Sequence, residues 1–200
     1  METAIEFYFD VGSPTSYLAW TQLPKIAREA GAQLVFRPML LGAVHKMAGN
    51  ASPAVVPAKA RWMGQDMQRF AKRYGVPFSF NPYFPINTLR LMRGATGTLM
   101  ADADLFQRYL TVIFTALWVA QKNLGEGEIV LQTLAAGGLD ASAILAMTED
   151  PLVKERLKSD TDAAVARGIF GAPTMFLGDR MYFGQDRLEF LAEDLKAHAG

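Results

Sequence analysis

Ile5-Glu6-Phe7-Tyr8-Phe9-Asp10-Val11-Gly12-Ser13-Pro14-Thr15-Ser16 is the stretch from which the rest of the chain is read. Ile5, Phe7 and Phe9 alternate with Glu6, Tyr8 and Asp10, the period-two pattern of a strand. Gly12-Ser13-Pro14 ends it. A serine followed by proline predicts a helix start: the hydroxyl satisfies an orphan N–H, and proline's fixed φ suits the first helical position. The apolar run from Tyr17 to Ala30 extends that helix, with Gly31 as its stop and Pro24 as an expected kink. Gln33 to Arg37 reads as a second strand, closed by Pro38. The result is a β-α-β unit whose helix begins at Ser13.

Outward from this unit the pattern changes. Pro57 to Tyr74 is amphipathic, with Trp62, Met63, Met67, Phe70 and Tyr74 predicted on the core side and Gly75 as the stop. Asn87 reads as a cap for a helix through Leu91 and Met92. Ala101 to Leu124, apolar almost all round at its centre, reads as one buried helix. Asp140 and Asp150-Pro151 start two more, the second ending near Gly168. No comparable strand pattern occurs between about 42 and 168. Thr174 to Leu177 and Arg180 to Phe183 then flank Gly178-Asp179, the signature of a two-residue hairpin. A final helix is expected from Asp186, with Asp186 and Glu189 at capping-box spacing. The order predicts an α/β, thioredoxin-like β-α-β…β-β-α domain with an inserted all-helical domain. The expected boundaries are 1–42 and 169–200 for the first and 43–168 for the insert.

Composition removes several function classes. Lys+Arg and Asp+Glu both number 20 among 200 residues, so the formal charge is zero and neither nucleic acid nor an anionic membrane is expected as partner. There is no cysteine, which excludes disulfides, thiolate metal sites and intrinsic thiol redox chemistry. Two histidines, His45 and His198, and no recognisable carboxylate spacing argue against a metal. The acidic N-terminus lacks a basic signal-peptide region, and Val112 to Ala120 is too short to span a bilayer. A soluble cytoplasmic protein is expected.

Three segments carry chemistry. At Gly12 to Ser16 the backbone N–H groups and dipole of a helix start favour an anion. Thiol oxidoreductases of this architecture place Cys-x-x-Cys there; here the spacing is Ser13-x-x-Ser16. Ser13 reads either as a plain cap or as a hydroxyl that stabilises a thiolate brought by another molecule. At Phe170-Gly171-Ala172-Pro173-Thr174, Pro173 is either an ordinary turn proline or a cis-proline. In the second case Ala172 offers its backbone to an extended peptide. At Phe183-Gly184-Gln185-Asp186-Arg187, the amides and the Asp186 carboxylate either hold a ligand's charged groups or form a capping box. Lys59 reads as a partner for a ligand carboxylate or as a solvated lysine, and Asn87 as a substrate contact or a cap. His45 and the Met and aromatic stripe around Trp62 read as packing.

Taken together, Phe9 to Ala19, Arg37 to Gly42, Gly49-Asn50, Gly171 to Phe176 and Phe183 to Arg187 resemble the 2-hydroxychromene-2-carboxylate isomerase family. That family is a relative of kappa-class glutathione transferases, and the resemblance runs from Ile5 to about Leu195. It implies a glutathione-dependent isomerase of aromatic degradation, with glutathione in a cleft between the two expected domains. Ser13 then contacts the glutathione sulfur, and Ala172, before cis-Pro173, pairs with the cysteinyl backbone. Asn50 and Lys59 lie near the glycyl end, Gln185 and Asp186 at the γ-glutamyl end, and Pro173, Phe183 and Gly184 also belong to the glutathione site. His45 and Asn87 fall at substrate-side positions. The resemblance also implies a small aromatic or conjugated acid as substrate and a homodimer. A kappa-like transferase and a non-catalytic thioredoxin-fold peptide binder are the competing readings.

Overall fold

A computed structural model describes residues 3–198. The outermost positions of the first expected domain, 1–2 and 199–200, lie outside the described residues. Strand β1 (Ala4–Phe9), helix α1 (Pro14–Glu29) and strand β2 (Gln33–Pro38) form the expected β-α-β unit, and β1 pairs with β2 in parallel. Strands β3 (Thr174–Leu177) and β4 (Arg180–Phe183) form the expected antiparallel hairpin, and β3 pairs antiparallel with β1. Among the described residues the sheet order is β2-β1-β3-β4. A final helix, α9 (Leu188–His198), follows a 3₁₀ turn over Gln185–Arg187. This mixed sheet is the thioredoxin arrangement.

The alternation of β1 sorts its side chains between two cores. Ile5, Phe7 and Phe9 join Met175 and Leu177 of β3 in the larger apolar cluster, beneath α1 and α9. Tyr8 and Phe176 point the other way, into a smaller cluster with Val44, Ala164 and Ile169. Each fully buried phenylalanine is worth about 1.5–3 kcal/mol relative to an exposed one, and Phe7 and Phe9 stack at 5.2 Å.

Helices fill the chain between β2 and β3: α2 (Leu41–Met47), α3 (Pro57–Tyr74), α4 (Leu89–Ala101), α5 (Ala103–Trp118), α6 (Gly127–Ala136), α7 (Ala141–Glu149) and α8 (Pro151–Ala166). The larger cluster continues into them through Leu91, Phe106, Leu110, Phe114 and Trp118. No helix of the described residues is long and apolar enough to cross a membrane.

Three expectations are corrected, and one helix lies outside them. The helix expected over Ala101 to Leu124 is shorter: it begins at Ala103, capped by the carboxylate of extended Asp102 (φ −164°, ψ 136°), and stops at Trp118. Helix α6 was not expected, because it starts on Gly127 and its cap residue Glu126 makes no side-chain capping bond. Trp62 is not core; it is 58% exposed, whereas Met67 on the same helix is buried. Asp186 and Glu189 do not form a capping box, since Asp186 pairs with Arg187 and Glu189 with Arg73.

Candidate functional site

The start of α1 is built as its sequence predicts. Ser13 is the cap, and its Oγ accepts the Ser16 N–H at 3.1 Å. It shares a second hydrogen bond with Thr15 Oγ1 at 2.9 Å. Both hydroxyls also approach the Ala172 carbonyl, each at 3.3 Å, which is long for an O–H···O bond and leaves both free to turn to a better acceptor. Ser16 Oγ is buried with no partner.

The helical segment holds this corner from behind. The Asp10 carboxylate, fully buried, accepts the Gly12 N–H at 2.8 Å, the Leu41 N–H at 2.9 Å and the Thr88 hydroxyl at 3.0 Å. Burial raises its pKa, and these three donors oppose that shift. Trp118 Nε1 donates to the Val11 carbonyl at 2.8 Å. A Cβ at residue 12 would lie 2.5 Å from Thr88 Cγ2, so the close approach of α4 requires Gly12.

The facing wall is the segment before β3 and the turn after β4. The Ala172–Pro173 peptide is cis, and the Gly184 N–H donates to the Pro173 carbonyl at 2.9 Å, tying the two segments together. Gly184 has φ +98°, a conformation that favours glycine. Tyr74 of α3 donates to the Gln185 carbonyl at 2.6 Å. Burial is the main reason its phenol is pushed up to about 12. Phe170 and Phe183 pack at 4.6 Å.

Between these walls lies a cleft of 480 Å³. It brings together Ser13, His45, Asn50, Lys59, Ala172, Phe183, Gly184, Gln185 and Asp186. Pro173, next in the chain after Ala172, is not among the lining residues. Asn87 is placed elsewhere, in a separate smaller cavity, where its Oδ1 accepts the Leu89 N–H at the start of α4. Asn50 spans the cleft: its Nδ2 donates to the Phe170 carbonyl at 2.8 Å, and its Oδ1 accepts the Ala51 N–H. Partial burial lowers the pKa of His45. Lys59 is exposed. The third wall is apolar, from Trp62, Met63, Met67, Phe80 and Phe84.

A family model for the DSBA-like thioredoxin domain matches residues 4–196. The 2-hydroxychromene-2-carboxylate isomerase of Sphingobium xenophagum is 31% identical over 194 residues, spanning 96% of this chain and 97% of that protein. A solved structure of 2-hydroxychromene-2-carboxylate isomerase superposes with a TM-score of 0.86 at 31% identity, covering 97% of this chain and 95% of that one. The chain belongs to this isomerase family, within the DSBA-like thioredoxin domains. It is also similar to glutathione S-transferase kappa 1 of Rattus norvegicus, 28% identical over 94% of this chain and 88% of that protein.

In this DSBA-like domain the start of α1 carries serines at positions 13 and 16, and the chain has no cysteine. The sequence gives no site role to Thr15, Asp10 or Tyr74, and assigns the aromatic wall around Trp62 to packing. Thr15 was visible as a hydroxyl in the first helical turn. Asp10, ending an apolar strand two residues before a glycine, was visible as a carboxylate with nearby backbone donors. Trp62 carried no such signal, because a cleft wall and a core face share one helical period.

Proposed function

We propose that the cleft binds glutathione with its sulfur at the start of α1 and catalyses a glutathione-dependent isomerisation of a small conjugated, aromatic acid. The observation that carries this reading is the approach of the Ser13 and Thr15 hydroxyls to the Ala172 carbonyl across the cleft, in a chain with no cysteine. Such a site needs a sulfur from outside.

The residues present suit that tripeptide. Ser13 and Thr15 supply hydroxyl donors, and the first turn of α1 supplies N–H groups and a positive dipole end; both favour a thiolate over a thiol. Ala172, just before β3, offers its backbone to an extended peptide. Lys59 presents a cation to a carboxylate, and Asp186 an anion to an ammonium, within the same cleft. Bound there, glutathione supplies a nucleophilic sulfur whose reversible addition lets a conjugated double bond rotate. Trp62, Phe80 and Phe84 present flat apolar faces to a planar substrate and exclude water from it. His45, whose pKa partial burial lowers, lines the same cleft on the substrate side of this reading.

Ser13→Ala tests the reading. The thiol pKa of bound glutathione, followed by ultraviolet thiolate absorbance, is expected to rise. kcat is expected to fall about 10- to 100-fold, the worth of one charge-assisted hydrogen bond. An unchanged pKa and rate remove Ser13 from the chemistry, and no calorimetric heat with millimolar glutathione removes the cofactor. Likeness to the kappa transferase favours one second reading, a stable glutathione conjugate as product. Recovery of free glutathione with an isomer, against capture of a conjugate, separates the two. A homodimer belongs to the same proposal and is checked by sedimentation.

A further inference from the structure

The cavity that holds Asn87 lies outside the cleft and has its own character. It measures 260 Å³ and is lined by Asn87, Arg90, Arg93, Leu124, Gly125 and Glu149, among others. Arg90 and Arg93 are three residues apart on α4 and share a helix face. Among the described residues neither guanidinium makes a hydrogen bond to a side chain or backbone acceptor, and neither forms an ion pair. Arg93 Nε is buried with no partner at all. A guanidinium carries five donors in a planar fork, and buried donors are normally satisfied.

The surroundings add donors and leave a surplus of positive charge. The one acid in the lining, Glu149, already accepts Lys154 Nζ at 2.7 Å. Glu149 also lies within electrostatic reach of Arg93 and Arg90, so one carboxylate is shared among three cations and a net positive charge remains. Asn87 uses its Oδ1 on the Leu89 N–H, which leaves its NH₂ donors unspent. A Cβ at residue 127 would lie 2.9 Å from Arg90 Nη1, so Gly127 lets that guanidinium rest against the start of α6. The Glu126 carboxylate, which could have capped α6, instead accepts from Asn123 at 2.7 Å.

We propose that this cavity is a second ligand site, which takes a small oxyanion group, phosphate or carboxylate, between Arg90 and Arg93. Two adjacent guanidinium forks match the paired oxygens of such a group, each through charge-assisted bonds. The site shares no lining residue with the glutathione cleft, so it stands or falls separately from the function proposed above.

The test uses nuclear magnetic resonance of the full-length ¹⁵N-labelled protein, reading the Arg93 Nε–H signal. Inorganic phosphate and benzoate are titrated separately, with sodium chloride at matched ionic strength as control. A saturable shift with phosphate supports the proposal with a phosphoryl source, and one confined to benzoate supports it with a carboxylate source. In either case Arg90→Gln is expected to weaken binding about tenfold or more. Arg90 is exposed, so the substitution leaves the core untouched, and an unchanged melting temperature confirms it. A shift that does not saturate, that sodium chloride reproduces, or that survives Arg90→Gln unchanged overturns the site.

Discussion

Ser13 and Ser16 occupy one turn of α1 and use their hydroxyls differently. Ser13 Oγ accepts an orphan N–H and approaches a second chain segment, so it supports both the helix start and the cleft. Ser16 Oγ is fully buried and has no partner. A buried unsatisfied hydroxyl is a cost, whereas a capping hydroxyl is a gain. Two alanine variants are therefore expected to part company in urea denaturation. Ser13→Ala should lower stability by about 1 kcal/mol. Ser16→Ala should leave it unchanged or raise it by up to about 1 kcal/mol, helped by alanine's better helix propensity. A loss for Ser16→Ala equal to that for Ser13→Ala would mean that the buried hydroxyl does have a partner.

At the scale of elements, Asp10 joins the end of β1 to the starts of α1, α2 and α4 through Gly12, Leu41 and Thr88. Asp10→Asn removes a buried charge, yet it replaces one acceptor oxygen by an NH₂ facing existing donors. The mismatch is expected to dominate: stability falls by about 1–3 kcal/mol, seen in denaturant midpoints at neutral pH. A variant as stable as the parent would show that the charge, not the acceptor pattern, governs this junction. The elements themselves were legible where local chemistry marks them. Ser13-Pro14 opens α1, Gly75 (φ +67°) closes α3, and Gly178-Asp179 turns the hairpin. They were obscure where a mark was missing or overridden. Helix α6 lacks a capping side chain, and α5 stops at Trp118 inside an apolar stretch whose hydrophobicity does not record the end. Asp186 and Glu189 kept the spacing of a box, but nearby arginines took both carboxylates.

Over the whole molecule, the polar side of the cleft could be read from short local motifs, while its aromatic wall and the position of Asn87 depend on how distant helices meet. The same distance in sequence hides a charge cluster that joins both sides of the fold. Glu6 of β1 pairs with Arg37 of β2 at 3.0 Å and with Arg167, which follows α8. The Arg167 guanidinium also lies 3.7 Å from the Phe176 ring centroid, over β3. Burial raises the Glu6 pKa, but the hydrogen bonds and charges of Arg167 and Arg37 outweigh it, and the net shift is downward. A carboxyl whose native pKa lies below its unfolded value binds fewer protons when folded. Its contribution is present above the ordinary glutamate value of 4.5 and is lost as pH falls through the lower native value. Glu6→Gln should therefore be less stable than the parent at neutral pH, and the gap should close on acidification below about pH 4.5. Urea midpoints measured from pH 7 downward on both proteins give the comparison. A gap that stays constant across that range would place the benefit of Glu6 in its packing rather than in its charge.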